Sequence, residues 1–99
     1  MKQRAVQFAP EARDDLFALY DWIAEAADAL TAMVYIERLE GFCQGLDLAS
    51  ERGQARNDIR PGLRIVGFER NATIAFSVDD THVTILRVFY RGRDWEHAF

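Results

Sequence analysis

Three runs rich in β-branched and aromatic residues crowd the second half of the chain: LRIVGFE (63–69), ATIAFSV (72–78) and HVTILRVFY (82–90), with only RN and DDT between them. Links that short cannot carry a crossover, so each neighbouring pair must turn back as an antiparallel hairpin. In the middle run Ile74, Phe76 and Val78 alternate with Thr73, Ala75 and Ser77, the pattern of a sheet covered on one face. The rest of the chain has to supply that cover.

The first half supplies it as helix. Pro10 suits a first helical turn, and Glu11, Asp14 and Asp15 follow where a helix N-terminus favours negative charge. Ala9 is a poor N-cap. Ala12, Leu16, Leu19, Tyr20, Ile23 and Ala27 keep helical spacing, and Ala32, Ile36, Leu39, Cys43 and Leu46 form a second stripe. An unbroken helix over 11–48 is too long for a chain of 99 residues, so a break is expected in ADALT (27–31), with Asp28 or Thr31 as cap. RAVQFA (4–9) reads as a short first strand, and SERGQARNDIRPG (50–62) as a loop with Gly53 and Pro61-Gly62 as breakers. The expected fold is α+β: an N-terminal short strand, then an antiparallel helical hairpin packed on a three- to four-stranded antiparallel sheet. All of it makes one domain, 1–99.

Composition narrows the function. No apolar run approaches the roughly 18 residues of a membrane span, and MKQRAVQFAP lacks a signal-peptide core. With a single cysteine, Cys43, the chain fits a reducing, cytoplasmic setting away from membranes. The net charge of −4 disfavours simple nucleic-acid binding, and no direct sequence-specific DNA binding is expected. Residues 1–50 carry four bases against nine acids, whereas 51–99 carry eight against seven, every one of those bases arginine. Planar guanidinium groups favour directed hydrogen bonding over mere solubility. No metal or cofactor is expected. His82 and His97 lack partners at ligand spacing, Cys43 falls on the apolar stripe, and neither a phosphate-binding glycine motif nor a serine elbow occurs. Asp79-Asp80 reads as turn chemistry.

Several groups remain as candidates for function. Arg52, Arg56, Arg60 and Arg64 recur every fourth residue, but Gly53 and Pro61 interrupt any helix there, which leaves scattered solvated arginines. Arg64 stands apart because it enters a strand. Arg87 is expected on the same strand face as Val83, Ile85 and Phe89, where it must reach the rim, pair with a carboxylate, or face an open concave surface. In the last case Arg64 and Arg87 would mark one functional face on neighbouring strands. Tyr90, Arg91, Arg93, Asp94 and Trp95 form a terminal cluster suited to a phosphodiester, a base or a protein hot spot, unless the tail merely folds onto its own sheet. Phe17, Trp22, Leu30, Val34, Tyr35 and Phe42 are more apolar surface than two helices need, so part of it is expected as a partner site.

The run FAPEARDDLFALYDWIAE resembles the first helix of the RelE/ParE toxins of type II toxin–antitoxin systems, and RPGLRIVGFERNATIAFSV followed by VTILRVFYRGRDWE resembles the ParE branch. That resemblance implies two antiparallel helices on an antiparallel sheet and a ParD-like antitoxin whose flexible segment wraps the toxin over Phe17, Trp22, Leu30, Val34, Tyr35 and Phe42. It further implies DNA gyrase as target, with no catalytic step of the toxin's own, through Arg64, Arg87, Tyr90, Arg91, Arg93 and Trp95. The alternative is the RelE branch, which cleaves messenger RNA on the ribosome. Such enzymes usually present two lysines two apart in the strand equivalent to 63–68. Here Arg64 matches one, Val66 stands at the other, and the next strand offers Thr73; Arg87, Tyr90, Arg91 and Arg93 would complete an RNase set. Both readings need the late guanidinium groups to project outward.

Overall fold

The computed structural model describes residues 3–91 and 95–99, the side chains of Trp95 and His97 excepted. Arg93, and the side chain of Trp95, lie outside the described residues. The chain runs β1 (Ala5–Phe8), α1 (Pro10–Ala26), α2 (Ala29–Gln44), a short 3-10 turn (Gly45–Asp47), β2 (Gln54–Ala55), β3 (Leu63–Phe68), β4 (Ala72–Val78), β5 (His82–Tyr90) and a last 3-10 turn (Trp95–Ala98). The hairpin breaks where expected. Asp28 is the N-cap of α2 and accepts from the Thr31 N–H at 2.6 Å, while Ala9 makes no side-chain cap for α1.

The five strands form one sheet in the order β1-β5-β4-β3-β2. The expected three or four antiparallel strands therefore gain a two-residue edge strand inside the 50–62 loop, and β1 joins parallel to β5. Parallel pairing follows from the intervening hairpin, long enough to bring the chain back across the sheet. Ala12, Leu16, Leu19 and Ile23 of α1, with Ala32, Tyr35, Leu39 and Cys43 of α2, pack on Val66, Ile74, Phe76, Val83, Ile85 and Val88. Tyr35 thus takes a place on the buried stripe, and Ile36 is only partly buried. Burial pushes the Cys43 thiol up to about 12, as suits a core thiol.

The outer face is not bare. Ala75, Leu63 and Phe89 are buried there, with Ile59, Ile65, Leu86 and Phe99 packed against them. The alternation in β4 implied a single covered face; the returning 56–62 loop and Phe99 cover part of the other.

β5 carries one extra residue, Leu86, between the Ile85–Phe76 and Arg87–Ala75 pairs. Such a bulge resets the alternation. Val83 and Ile85 face the helices, and so do Val88 and Tyr90, whereas Phe89 packs on the outer face. Arg87 therefore does not share a face with Val83 and Ile85: it pairs with Ala75 and stacks over Phe89, 4.9 Å from the ring centre.

Two turns fix the hairpins. Asp79 Oδ1 accepts from the Thr81 and His82 N–H groups at 2.8 and 2.7 Å. Glu69 and Arg70 close the other with φ of 48° and 62°, a pair of left-handed residues where Asn-Gly is usual. Arg70→Gly should stabilise the chain by about 1 kcal/mol, measured by urea unfolding, because glycine removes the left-handed penalty.

Acid response follows from the same contacts. Backbone N–H groups hold Asp28 and Asp79 below the usual carboxylate range, and the guanidinium of Arg38 does the same for Glu69. A folded-state value below the unfolded one stabilises the fold above the ordinary carboxylate range and is lost as pH falls through it. Chemical denaturation should give constant stability from neutrality down to about pH 4 and a decline below that. A decline beginning near pH 6 would contradict this assignment.

Candidate docking site

At the closed end of the hairpin, where Ala27 and Asp28 join α1 to α2, the helices and the neighbouring start of β4 and end of β5 leave a groove of about 560 Å³. Trp22, Leu30, Val34, Tyr35, Tyr90 and Arg91 line it. A second groove, of about 330 Å³, runs between α1 and β5 past Asp15, Leu19 and Val88, and shares Trp22, Tyr90 and Arg91 with the first. The side chains where the two meet are interlocked. Trp22 and Tyr90 lie 5.4 Å apart between ring centres, and the Arg91 guanidinium stacks 5.2 Å from the Trp22 ring and 5.7 Å from that of Tyr90. Exposed arginine–aromatic stacks of this kind typically contribute about 0.5–1 kcal/mol.

The groove joins two sets that the sequence had separated. Tyr90 and Arg91 belong to the surface expected to meet a target; Trp22, Leu30, Val34 and Tyr35 to that expected to meet an antitoxin. Among the latter, Leu30 is 68% exposed and Trp22 47%, whereas Tyr35 is buried. Phe17, 70% exposed, stands apart beside a hollow on the far side of the hairpin with Tyr20 and Ile36. Tyr35 and Phe42 do not belong to an open surface. Phe42 is half-buried against Phe68, 5.2 Å between ring centres, with the Arg52 guanidinium over it. The Tyr35 ring stands edge-on to Phe68 and Tyr90, and its hydroxyl is buried with no hydrogen-bond partner among the described residues. Burial, followed by charge repulsion that includes the nearby Glu69 carboxylate, pushes that phenol up to about 12. Arg38 lies 5.3 Å over the Tyr35 ring and grips Glu69 through two hydrogen bonds of 3.0 and 2.8 Å.

Arg87 requires a correction. Its guanidinium does not project to a target: Nε donates to Asp15 Oδ2 at 2.7 Å and Nη2 to Oδ1 at 3.1 Å. The pair is largely shielded, with the side chains 27% and 11% exposed. Donation to the Asp15 carboxylate holds the Arg87 pKa above its ordinary value. The Val88 N–H donates to the same Oδ2 at 2.9 Å. The reason lies in strand lengths: β1 stops at Phe8 opposite Ile85, so β5 beyond that point has an open edge, and the carboxylate from α1 fills it. Asp15 was legible only as an acid near a helix start. Its place one residue before the buried Leu16 was the available signal.

Arg64 is not free for catalysis either. Its guanidinium donates to the carbonyls of Glu51, Arg52 and Gly53. It pairs with Phe76 across the sheet while Arg87 pairs with Ala75, the next residue on β4, so the two arginines occupy opposite faces with β4 between their strands. The joint face on neighbouring strands does not exist. Of the remaining arginines in the loop, Arg56 pairs with Asp58 and Glu96, and Arg60 stacks over Phe99. No cluster of metal-ligating side chains occurs among the described residues, and no helix there is long and apolar enough to cross a membrane.

The profile of a family described as the ParE toxin of type II toxin–antitoxin systems, parDE, matches residues 6–95. Among solved structures, the fold is similar to a chain of the chromosomal ParDE system from P. aeruginosa, with a TM-score of 0.78 and 22% identity, covering 90% of this chain and 97% of that one. It is also similar to a chain of the RelBE2 toxin–antitoxin complex from Mycobacterium tuberculosis, with a TM-score of 0.65 and 23% identity, covering 92% and 94%. No curated protein matches.

Proposed function

The chain belongs to the ParE toxin family of type II toxin–antitoxin systems, and on that footing we propose that it is a cytoplasmic, non-catalytic inhibitor of DNA gyrase, neutralised by a ParD-like antitoxin. The observation that carries the non-catalytic reading is the state of β3 and β5. Cleavage of RNA by its own 2′-hydroxyl needs a proton acceptor, a proton donor and a cation gathered on one face. Here the Arg64 guanidinium is taken up by backbone carbonyls, Val66 is part of the core, and Arg87 is held by Asp15 on the opposite face from Arg64. The RNase set of Arg64, Arg87, Tyr90, Arg91 and Arg93 does not assemble from its described members. What remains exposed for a target is Arg91 with Tyr90 beside it, joined in sequence to Arg93 and Trp95.

Both similar structures are, by their own descriptions, parts of toxin–antitoxin systems, which supports an antitoxin partner for this chain. The exposed apolar surface at Phe17, Trp22, Leu30 and Val34 fits such a partner. Purified protein in micromolar excess should block supercoiling by gyrase or trap cleaved plasmid. Unimpaired supercoiling, together with codon-boundary cuts mapped by primer extension in a cell-free translation reaction, would replace this reading with the RelE-type one.

A further inference from the structure

We propose that the cleft beside the 50–62 loop, between Arg4 and Arg64, is a binding site for a phosphate-type oxyanion, taken up free or as the terminal group of a nucleotide. This site goes beyond the toxin reading and does not depend on it.

The cleft holds about 290 Å³, and Arg4, Ser50, Glu51, Asn57, Arg64 and Val78 line it. It lies at the other end of the sheet from Trp22, Tyr90 and Arg91. Val78 ends β4, whereas Tyr90 pairs with Ala72 at its start, so the seven-residue strand separates the two places by about 20 Å. The backbone brings Arg4 here. Its N–H donates to the Asp47 carbonyl at 3.0 Å, and the next N–H, of Ala5, donates to the Thr81 carbonyl at 2.9 Å. Arg64 arrives from the opposite side of the loop, on β3 beside Ala55 of β2.

Charge is the first observation that points to an anion. Arg38, Arg56 and Arg87 each have an acid, but Arg4 and Arg64 have no carboxylate partner among the described residues. Arg4 donates from Nε to the Asp79 carbonyl at 2.7 Å and from Nη1 to Ser50 Oγ at 2.9 Å. Arg64 donates from Nε and Nη2 to the carbonyls of residues 51–53. Neutral acceptors orient both guanidinium groups and cancel neither charge. Two acids close to Arg4 in the fold are engaged elsewhere: Asp79 Oδ1 takes the Thr81 and His82 N–H groups, and Asp47 Oδ2 takes Gln3 Nε2.

The second observation is the kind of hydrogen bonding left over. Ser50, only 5% exposed, accepts from Arg4 and keeps its own hydrogen to give. Asn57 Oδ1 accepts from the Gly62 N–H at 2.8 Å, which leaves its amide nitrogen as a donor. Arg4 Nη2 and Arg64 Nη1 have no partner among the described residues. Among the lining side chains only Glu51 offers an untaken acceptor, and it is exposed. A cleft whose spare capacity is donors on two cations suits a ligand that only accepts, and charge-assisted bonds of that kind are about twice as strong as neutral ones. Four donor groups suit the several oxygens of a tetrahedral phosphate better than the two of a planar carboxylate.

The experiment is calorimetric titration of the full chain with inorganic phosphate, adenosine 5′-monophosphate and adenosine, at ionic strength fixed with chloride. The wild type should bind phosphate or the nucleotide with a Kd at or below about 1 mM. Asn57→Asp is the decisive variant, because it keeps Oδ1 for the Gly62 N–H and replaces only the donor nitrogen by a charged oxygen. It should melt as wild type and bind at least about tenfold more weakly. Arg4→Gln should weaken binding about tenfold as well, through loss of one cation. Asn71→Asp, the same change of charge just before β4, should bind as wild type. Equal affinity for phosphate and the nucleotide would identify a site for the free anion; tighter binding of the nucleotide, with adenosine silent, would identify a phosphoester site. Either supports the proposal. It is overturned if neither ligand binds the wild type at about ten times that concentration, if adenosine binds as tightly as its monophosphate, or if Asn57→Asp and Arg4→Gln bind as wild type. Equal weakening by Asn71→Asp would reduce the effect to net charge and overturn it too.

Discussion

Asp15→Ala is expected to lower the unfolding free energy by about 3 kcal/mol, because it strands a largely shielded guanidinium and removes the acceptor of a strand amide. Three donors converge on this one carboxylate: Arg87 Nε, Arg87 Nη2 and the Val88 N–H. Arg87→Ala should cost less, about 2 kcal/mol, since the carboxylate retains the Val88 N–H and α1 leaves it partly open to water. The double variant should be more stable than the sum of the two losses implies, by more than about 0.5 kcal/mol, the mark of residues acting as a pair. Urea unfolding with an unchanged slope would measure all three. A loss below 0.5 kcal/mol for Asp15→Ala, an estimate within ordinary surface scatter of about that size, would mean that the edge of β5 is held by something else. The result also bears on function. An Arg87 variant that relieves toxicity would do so through instability, and its melting curve would show it.

Gly53→Ala is the second large effect, at about 3 kcal/mol, combining a left-handed backbone with a steric conflict. Gly53 has φ +81°, and a methyl group there would run into the Ile65 carbonyl oxygen and sit 2.9 Å from Val66 Cβ. Neither neighbour can yield easily. Ile65 is paired with Gln54 in the ladder, and Val66 is packed in the core. The substitution should also disturb the carbonyls of residues 51–53 that hold Arg64. Gly62 is the internal control. Its φ is also +81°, but a Cβ there meets nothing within 4 Å, so Gly62→Ala should cost only the backbone term of about 1–2 kcal/mol. Equal losses at the two glycines in thermal unfolding would show that the contact with β3 is not what matters.

Particular elements show how far the sequence could be read. The hairpins of β3, β4 and β5 were legible because links of two or three residues leave one solution. The helical break was legible because Asp28 offered a cap, even without glycine or proline at the corner. The bulge at Leu86 was not, since one extra residue in a run of β-formers leaves no mark in composition. It reversed the expected placement of Phe89 and Arg87 relative to Val83 and Ile85. Tyr35 and Phe42 were indistinguishable from Trp22 and Leu30 as surplus apolar residues on a helix. Only the position of Phe68 and Tyr90 beneath them decided which became core.

The sequence alone therefore determined the two helices, the strands β1, β3, β4 and β5, their order and the α+β class, but not the edge strand β2, because local propensity and link length act between near neighbours. The tertiary structure alone decided which arginines are spoken for. Arg87 and Asp15 are 72 residues apart and Arg64 reaches carbonyls 11 to 13 residues away, so their partners exist only once the chain has closed. It also brought Trp22 of α1 against Tyr90 and Arg91 at the end of β5. Charge and hydrogen bonding act over a few ångströms of space rather than along the chain, and that distance is set only by the fold.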